Sequence, residues 1–130
     1  MLVTMRVFKG KRFDRWASTE GIVDADLCRA ASEAFAGHVE ADLGGYLFKK
    51  RIARSGGGKS GGYRTILGFR KSNAARIFFL HGFPKNARAN ISIKEREALS
   101  IVAGGLVDAS EAQIAALKTM GSVLELECGQ

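Results

Sequence analysis

Residues 54–70 run Arg-Ser-Gly-Gly-Gly-Lys-Ser-Gly-Gly-Tyr-Arg-Thr-Ile-Leu-Gly-Phe-Arg, a glycine-rich segment followed by a β-branched and aromatic one. The second half predicts a strand. The Gly-Lys-Ser at residues 58–60 also occurs in phosphate-binding loops, but that motif needs a glycine five residues earlier and a helix directly after it. The earlier position is Ala53, and the segment that follows is strand-like. We therefore predict a glycine-rich loop between two strands, and no nucleotide site.

The segments on either side of this loop extend the same pattern. Three strand-like runs follow one another at Tyr46–Ala53, Tyr63–Arg70 and Arg76–Phe83. The glycine-rich loop joins the first two, and a short Lys-Ser-Asn-Ala segment joins the second to the third. Short connections of this kind predict an antiparallel meander.

Helical patterns precede and follow the meander. A strand at residues 2–8, a short helix around residues 13–17 and a helix at residues 24–37 are predicted before it. After it, capping boxes at Ser92–Glu95 and Ser110–Gln113 predict the starts of two further helices. Residues 123–127 form a last strand or an extended tail. The pattern predicts a single α+β domain over residues 1–130, with a core at about 5–106, a C-terminal helical extension at 107–130, and helices on one face of an antiparallel sheet.

The charge of the chain is concentrated in the middle of the sequence. The formal net charge is +7 and the pI is 9.8. Residues 43–94 carry twelve basic side chains and no Asp or Glu, whereas the rest of the chain carries eight basic and thirteen acidic ones. This uneven distribution of basic and acidic residues predicts a polyanionic partner, either a nucleic acid or an acidic protein. The alternative is a chance imbalance on a solvated surface.

The spacing of the two cysteines and the length of the apolar segments indicate the compartment of the protein. Cys28 lies in a predicted helix and Cys128 near the end of the chain, without the spacing of a metal site or of a disulfide framework. We predict two plain thiols, with Cys28 packed and Cys128 exposed, in a reducing compartment. Neither a signal peptide nor an apolar run of membrane-spanning length is present, so the prediction is a cytoplasmic protein.

The order of elements, together with two motifs in the basic segment, resembles the RelE/HigB superfamily of bacterial toxins. The motifs are Ser-Gly-Gly-Tyr-Arg at residues 60–64 and Gly-Phe-Pro-Lys-Asn-Ala-Arg at residues 82–88, and the resemblance covers Met5–Leu106. It implies a small cytoplasmic ribonuclease that cuts mRNA at the ribosome, inhibits growth and is silenced by a cognate antitoxin. An acidic, DNA-binding antitoxin of the helix-turn-helix type is the expected partner. Two alternatives remain: a non-catalytic gyrase inhibitor resembling the ParE toxins, and a basic RNA-binding module.

The basic segment favours RNA cleavage without a metal or another cofactor. Two-metal hydrolysis needs converging carboxylates, and residues 43–94 contain none. A cation-driven reaction instead uses the 2′-hydroxyl of RNA as nucleophile and needs help with two proton transfers and with phosphorane charge. Arg64 is the expected phosphate ligand, because a guanidinium presents a planar fork to phosphate oxygens.

The resemblance assigns the remaining catalytic candidates only in part. Lys50 matches the family's first strand lysine and is expected to hold phosphate, or to act as a base if neighbouring cations favour its neutral form. The family's second lysine falls on Ile52, its arginine on Asn86 and its tyrosine on Ser92. Because Ser92 already serves as a helix cap, no catalytic role is carried onto it. The residues that act as general acid and general base are therefore left unassigned.

Three further residues are candidates to fill these gaps. Lys85 and Arg88 flank Asn86 and are expected to replace the missing cation. His81 carries the side-chain type that gains and loses a proton near neutral pH. It is a proton donor or acceptor if it faces the open side of the sheet with Arg64, and a core histidine if it faces the helices. The predicted catalytic set is Lys50, Arg64, His81, Lys85 and Arg88.

Other residues of the segment are expected to bind RNA. Lys59 lies at the tip of the glycine-rich loop, where glycines permit close approach to a phosphate backbone, although an ordinary hairpin with an incidental lysine is an alternative. Tyr63 is the expected base-stacking residue. The predicted RNA-binding set is Lys49, Arg51, Arg54, Lys59, Tyr63 and Asn86.

Overall fold

The computed structural model describes residues 5–53, 62–71, 75–84 and 91–129. Within these ranges a single mixed sheet has the strand order β2-β3-β4-β5-β1-β6. The strands are β1 Arg6–Gly10, β2 Ala41–Gly44, β3 Leu47–Ala53, β4 Gly62–Gly68, β5 Arg76–Pro84 and β6 Val123–Glu125. The helices are α1 Lys11–Glu20, α2 Asp24–Phe35, α3 Ile93–Val107 and α4 Glu111–Met120. The α+β class predicted from the sequence is confirmed.

The predicted meander forms the centre of the sheet. Strand β3 pairs antiparallel with β4, and β4 pairs antiparallel with β5. Strand β1, however, lies parallel to β5, and β6 then pairs antiparallel with β1. A parallel pair needs a long crossover, and helices α1 and α2 lie within the connection between β1 and the meander. The sheet is therefore mixed, where the sequence predicted an antiparallel one.

Helices cover both faces of the sheet. Phe48 and Leu67 pack in one core cluster with alanines of α2, and we call this side the α2 face. Their chain neighbours Leu47 and Ile66 point the other way and pack with Ala103 of α3, on what we call the α3 face. Successive residues of a strand point to opposite faces, so adjacent apolar residues require cover on both sides. The C-terminal helices consequently lie opposite α1 and α2, instead of all helices sharing one face.

The last two helices begin at the predicted capping boxes. Ser92 Oγ accepts a hydrogen bond from the Glu95 backbone N–H at 3.1 Å, and the Glu95 carboxylate accepts one from the Ser92 backbone N–H at 2.9 Å. Ser110 and Gln113 repeat this arrangement at 3.1 and 2.7 Å. Both boxes are therefore confirmed as helix starts. No helix within the described ranges has the length and apolar character needed to cross a membrane.

A half-buried carboxylate on the C-terminal strand is held by ion pairs. Glu125 on β6 accepts hydrogen bonds from the guanidinium of Arg6 on β1 at 2.8 and 2.9 Å. It also accepts one from Lys118 Nζ on α4 at 2.8 Å. The hydrogen bonds from Arg6, helped by the one from Lys118, lower the pKa of Glu125 to about 2. This carboxylate therefore joins β6 to both β1 and α4.

The Glu125 carboxylate makes stability depend on pH in the acidic range. A carboxyl group whose pKa falls on folding stabilises the protein fully above its unfolded value, and that contribution disappears as the pH drops through the folded value. We expect Glu125→Gln to lower the free energy of unfolding by about 1 kcal/mol at pH 7, a figure reduced for the partial exposure of the group. The difference from the wild type should shrink below pH about 4.5 and vanish near pH 2.

Urea denaturation between pH 7 and pH 3 measures this difference. Glu127→Gln is the matched control, because Glu127 is an exposed residue of the same C-terminal segment. A stability gap between Glu125→Gln and the wild type that stays constant with pH would contradict the assignment.

The two cysteines form a disulfide, so the prediction of plain thiols is wrong. Cys28 of α2 is bonded to Cys128, with the two Cα atoms 5.5 Å apart and a separation of 100 positions in the sequence. Such a pairing depends on β6 running beside β1 and delivering the chain end to α2, which no local pattern encodes. The disulfide also removes the argument that free thiols gave for a reducing compartment.

Candidate nucleic-acid interface

A row of side chains crosses the α3 face over three neighbouring strands. Arg51 on β3 lies in register with Arg64 on β4, and Arg64 lies in register with Phe83 on β5. Directly paired side chains on antiparallel strands have Cβ atoms about 4.5–5.5 Å apart. Arg64 shares its face with Ile66, which packs in the core beneath α3. The register therefore brings two guanidinium side chains next to each other on a rigid sheet.

A second row runs beside the first. Lys49 on β3 and His81 on β5 both lie in register with Ile66 on β4. They are consequently diagonal neighbours of Arg64, at about 7–8 Å, which long side chains can span. We call Lys49, Arg51, Arg64 and His81 the basic patch.

The basic patch is accessible but rests on packed side chains. Arg51 is exposed, and the other three members are half-buried. The His81 ring lies 5.8 Å from the ring of Phe83, which is buried. His81 thus lies on the same side of the sheet as Arg64, which is the placement that a role in proton transfer beside Arg64 requires.

Gly62 makes room for one member of the patch. A Cβ atom at residue 62 would lie 3.4 Å from Arg51 Nε, at the short end of ordinary van der Waals contact. The Arg51 guanidinium therefore lies close over the backbone at the start of β4. The carboxylate of Glu40 accepts a hydrogen bond from the Arg51 backbone N–H at 2.6 Å, which fixes the strand at this point.

Lys50 does not belong to the patch, and the prediction that it converges with Arg64 is wrong. It points to the α2 face, where its side chain is only 6% exposed. Its Nζ donates to the His38 carbonyl at 2.9 Å and forms an ion pair with Glu33 of α2 at 2.9 Å. Thr65, its partner on β4, is fully buried and donates to the Lys50 carbonyl at 2.7 Å. Lys50 is a buried, paired ammonium that joins β3 to α2.

The sequence contained a signal for this placement. Phe48 and Ile52 stand two residues before and after Lys50, and side chains two apart on a strand share a face. Both are buried in the α2-face cluster. The alternation therefore assigns Lys50 to the core side, and it assigns Lys49 and Arg51 to the side that carries Arg64.

The neighbouring lysines provide a paired test of this assignment. We expect Lys50→Ala to lower the free energy of unfolding by about 2 kcal/mol, because the ion pair and a buried hydrogen bond are lost. We expect Lys49→Ala to change stability by less than about 0.5 kcal/mol, as is usual for a surface substitution. Conversely, Lys49→Ala should weaken RNA binding and Lys50→Ala should not.

Urea denaturation and RNA titration of the two variants measure both quantities. Loss of RNA binding in a fully folded Lys50→Ala protein would restore Lys50 to the interface.

Tyr63 is also placed away from the interface, so the prediction that it stacks on a base is corrected. It is 4% exposed on the α2 face, and its hydroxyl donates to the Glu20 carbonyl at 3.3 Å. Its ring meets Trp16 edge to face at 5.5 Å. Trp16 in turn lies against Gly82, where a Cβ atom would come within 2.2 Å of the indole ring. Both aromatic side chains serve packing between α1 and the sheet.

Several predicted site residues lie outside the described ranges. This group consists of two loop residues of the glycine-rich segment and three residues after β5: Arg54, Lys59, Lys85, Asn86 and Arg88. Their assignments stay predictions. The interface is therefore built from the four members of the basic patch.

Comparison with known proteins identifies the family. Residues 5–126 match the family model described as the RelE toxin of the RelE/RelB toxin–antitoxin system. No curated protein matches the chain significantly. The match extends from β1 through β6, and so includes α4, beyond the end at residue 106 that the sequence resemblance suggested. Because it covers nearly the whole chain, the chain belongs to the RelE toxin family.

Proposed function

We propose that this toxin is a metal-independent endoribonuclease that cleaves mRNA at the ribosome. The observation that carries the proposal is the register of the meander, which gathers Lys49, Arg51, Arg64 and His81 on one sheet face. Strand residues hold their side chains more rigidly than loop residues, so the patch is preorganised for a charged ligand. A polyanion such as RNA matches its charge.

Arg64 occupies the centre of the proposed site. In the proposed reaction the 2′-oxygen of a ribose forms a bond to the adjacent phosphorus while the bond from phosphorus to the 5′-oxygen breaks. The products are a 2′,3′-cyclic phosphate and a free 5′-hydroxyl. Arg64 donates to the phosphate oxygens, where negative charge increases in the phosphorane, and so stabilises the transition state.

His81 is the proposed proton-transfer residue. One proton must leave the 2′-hydroxyl and another must reach the 5′-oxygen, and imidazole can exchange protons at neutral pH. His81 lies across Ile66 from Lys49 and diagonal to Arg64, within reach of a phosphate bound by the guanidinium. Lys49 and Arg51 then contact the neighbouring phosphates along the strand direction.

The family supports a proposal about the partner and about the site of action. A RelE toxin pairs with an antitoxin, and we propose an acidic antitoxin with a helix-turn-helix DNA-binding domain, encoded by the adjacent reading frame. Its acidic surface would match the excess of basic residues at positions 43–94. Because the proposed substrate is mRNA on translating ribosomes, the proposed site of action is the cytoplasm.

Incubation of the purified protein with free RNA and with translating ribosomes tests the function. We expect cleavage in the presence of a chelator, ends that carry a 2′,3′-cyclic phosphate, and faster cleavage on ribosomes. RNA binding without any cleavage would favour a simple RNA-binding module. Growth arrest with intact mRNA and a blocked gyrase would favour the gyrase inhibitor instead, and either outcome would overturn the proposed activity.

A further inference from the structure

Residues 126–129, which follow β6, are held to the sheet by few backbone contacts. They form no regular secondary structure, and β6 itself is only three residues long. The Leu126 backbone N–H donates to the Val7 carbonyl at 2.8 Å. Among the described residues, no backbone hydrogen bond holds residues 127–129. We call residues 126–129 the tail segment.

The disulfide supplies the anchor that the backbone of the tail segment lacks. Cys128 is bonded to Cys28 of α2. Leu126 is buried in the α2-face cluster together with Val7, and both cysteines pack against that cluster. The bond therefore holds a short irregular segment in place over part of the apolar core.

The position of the disulfide allows a thiol reductant to reach it. Both cysteines are half-buried, so neither is sealed inside the core. Cys128 lines a cavity of about 420 Å³, together with Arg6, Glu127 and Gly129. Thiol–disulfide exchange requires a thiolate to approach one of the two sulfur atoms. Cys128 is therefore the expected point of attack.

The ion pairs of Glu125 limit how far the tail segment can open. The Glu125 carboxylate accepts hydrogen bonds from Arg6 at 2.8 and 2.9 Å and from Lys118 at 2.8 Å. These contacts do not depend on the disulfide, because they join β6 to β1 and α4. Opening should therefore stop at the end of β6 and leave the meander folded.

Exchange with a dithiol opens the bond in two steps. A thiolate of the reductant bonds to Cys128 Sγ, the bond between Cys128 and Cys28 breaks, and Cys28 leaves as a thiolate that takes up a proton. The second thiolate of the reductant then attacks its own sulfur in the mixed disulfide and releases Cys128, which also takes up a proton. Two electrons pass to the cysteines, and the reductant leaves as a disulfide.

We propose that the disulfide is a redox-sensitive latch. When oxidised, it holds the tail segment against α2; when a dithiol reduces it, the tail segment detaches, exposes the core beside Leu126 and becomes accessible to proteases. The inference rests on the proposed action in the cytoplasm, where disulfides are rare and, when present, are usually transient or redox-sensing. The redox state thus determines how readily the toxin is degraded, without a change at the basic patch.

Amide hydrogen exchange followed by NMR tests the latch in the full chain. We expect reduction by dithiothreitol to speed exchange of the Leu126 amide at least about tenfold, because local opening no longer has to strain a covalent link. Amides of β3, β4 and β5 should still exchange at least about a hundredfold more slowly than in an unfolded chain. The variant Cys28→Ser/Cys128→Ser is the matched control, and it should resemble the reduced protein with and without dithiothreitol.

Two results of the exchange measurement would overturn the proposal. Equal exchange of the Leu126 amide in oxidised and reduced protein would show that the tail segment stays in place without the bond. Loss of protection throughout β3, β4 and β5 on reduction would show that the disulfide holds the whole fold together and is not a local latch.

Alkylation of free thiols followed by mass spectrometry tests whether the bond responds to biological reductants. We expect a thioredoxin-type dithiol protein or millimolar reduced glutathione to expose both cysteines in the folded protein. Digestion with thermolysin should then remove the tail segment at least about tenfold faster than from oxidised protein. A bond that is reduced only in denaturant, or a thiol pair that oxidised glutathione does not join, would overturn the proposal.

The proposed activity fails or stands separately. RNA cleavage is measured for the oxidised and the reduced protein, and we expect equal rates because the cysteines and the basic patch lie on opposite sides of the sheet. If neither form cleaves RNA, the ribonuclease assignment fails, while exchange and alkylation still decide whether the disulfide is a latch.

Discussion

Replacing Arg64 by alanine is expected to lower the rate of RNA cleavage by about 10²–10³-fold, the loss that follows removal of one transition-state donor. Arg64 lies at the centre of the basic patch, in register with Arg51 and diagonal to Lys49 and His81. No other guanidinium of the patch occupies that position. We therefore expect growth arrest to disappear together with cleavage. The fold should be retained, because Arg64 is half-buried and is not part of the hydrophobic core.

Single-turnover cleavage of ribosome-bound mRNA measures this effect. Arg15→Ala is the matched control, because Arg15 is an exposed arginine of α1 on the other side of the sheet. Arg64→Lys keeps the charge but loses the planar fork, so its rate should lie between those of the wild type and Arg64→Ala. An Arg64→Ala protein that cleaves within threefold of the wild-type rate would remove Arg64 from the proposed mechanism.

Loss of the disulfide between Cys28 and Cys128 is expected to produce the largest change in stability. The bond closes a loop of 100 residues and fixes the chain end to α2. Disulfides typically stabilise proteins by about 2–4 kcal/mol, largely by restricting the unfolded chain. We expect the double variant Cys28→Ser/Cys128→Ser to lose that amount, with a fall in Tm of about 10 °C.

Urea denaturation with and without dithiothreitol measures the contribution of the disulfide. The wild type should lose stability on reduction, and the double serine variant should not respond. Cys28 packs with the α2-face cluster, on the other side of the sheet from the basic patch, so RNA cleavage by folded protein should be unchanged in the variant. Wild-type protein that is equally stable in the reductant would contradict this prediction.

Local patterns identified most of the central elements because the interactions that form them are local. Period-two alternation and short connections predicted β3, β4 and β5 to within a few residues. The capping boxes fixed the starts of α3 and α4, since each box is closed by hydrogen bonds between residues three apart. Strand β2 was missed: its four residues include Asp42 and Gly44, which are poor strand formers, and it exists through pairing with β3.

The sequence predicted basic residues and a histidine for the candidate site, but it predicted only in part which face of the sheet each residue occupies. Arg64 and His81 share the α3 face, as the sequence allowed. The family correspondence puts Lys50 beside Arg64, whereas the alternation of Phe48, Lys50 and Ile52 puts it on the α2 face, where the structure has it. Tyr63 was misplaced for a related reason: a strand has two faces, and the positions of α1 and Trp16 decide which face is covered.

The amino-acid sequence was enough to predict the class of the fold, the basic meander and the family of toxins to which the chain belongs, because these depend on residue types at short spacings. Alternation sorts strand residues into two sets, but which helices cover each set, the parallel pairing of β1 with β5 and the contact between Cys28 and Cys128 follow from the packed structure. These features join residues that are distant in sequence, and their contacts exist only after the helices have packed on the two faces of the sheet.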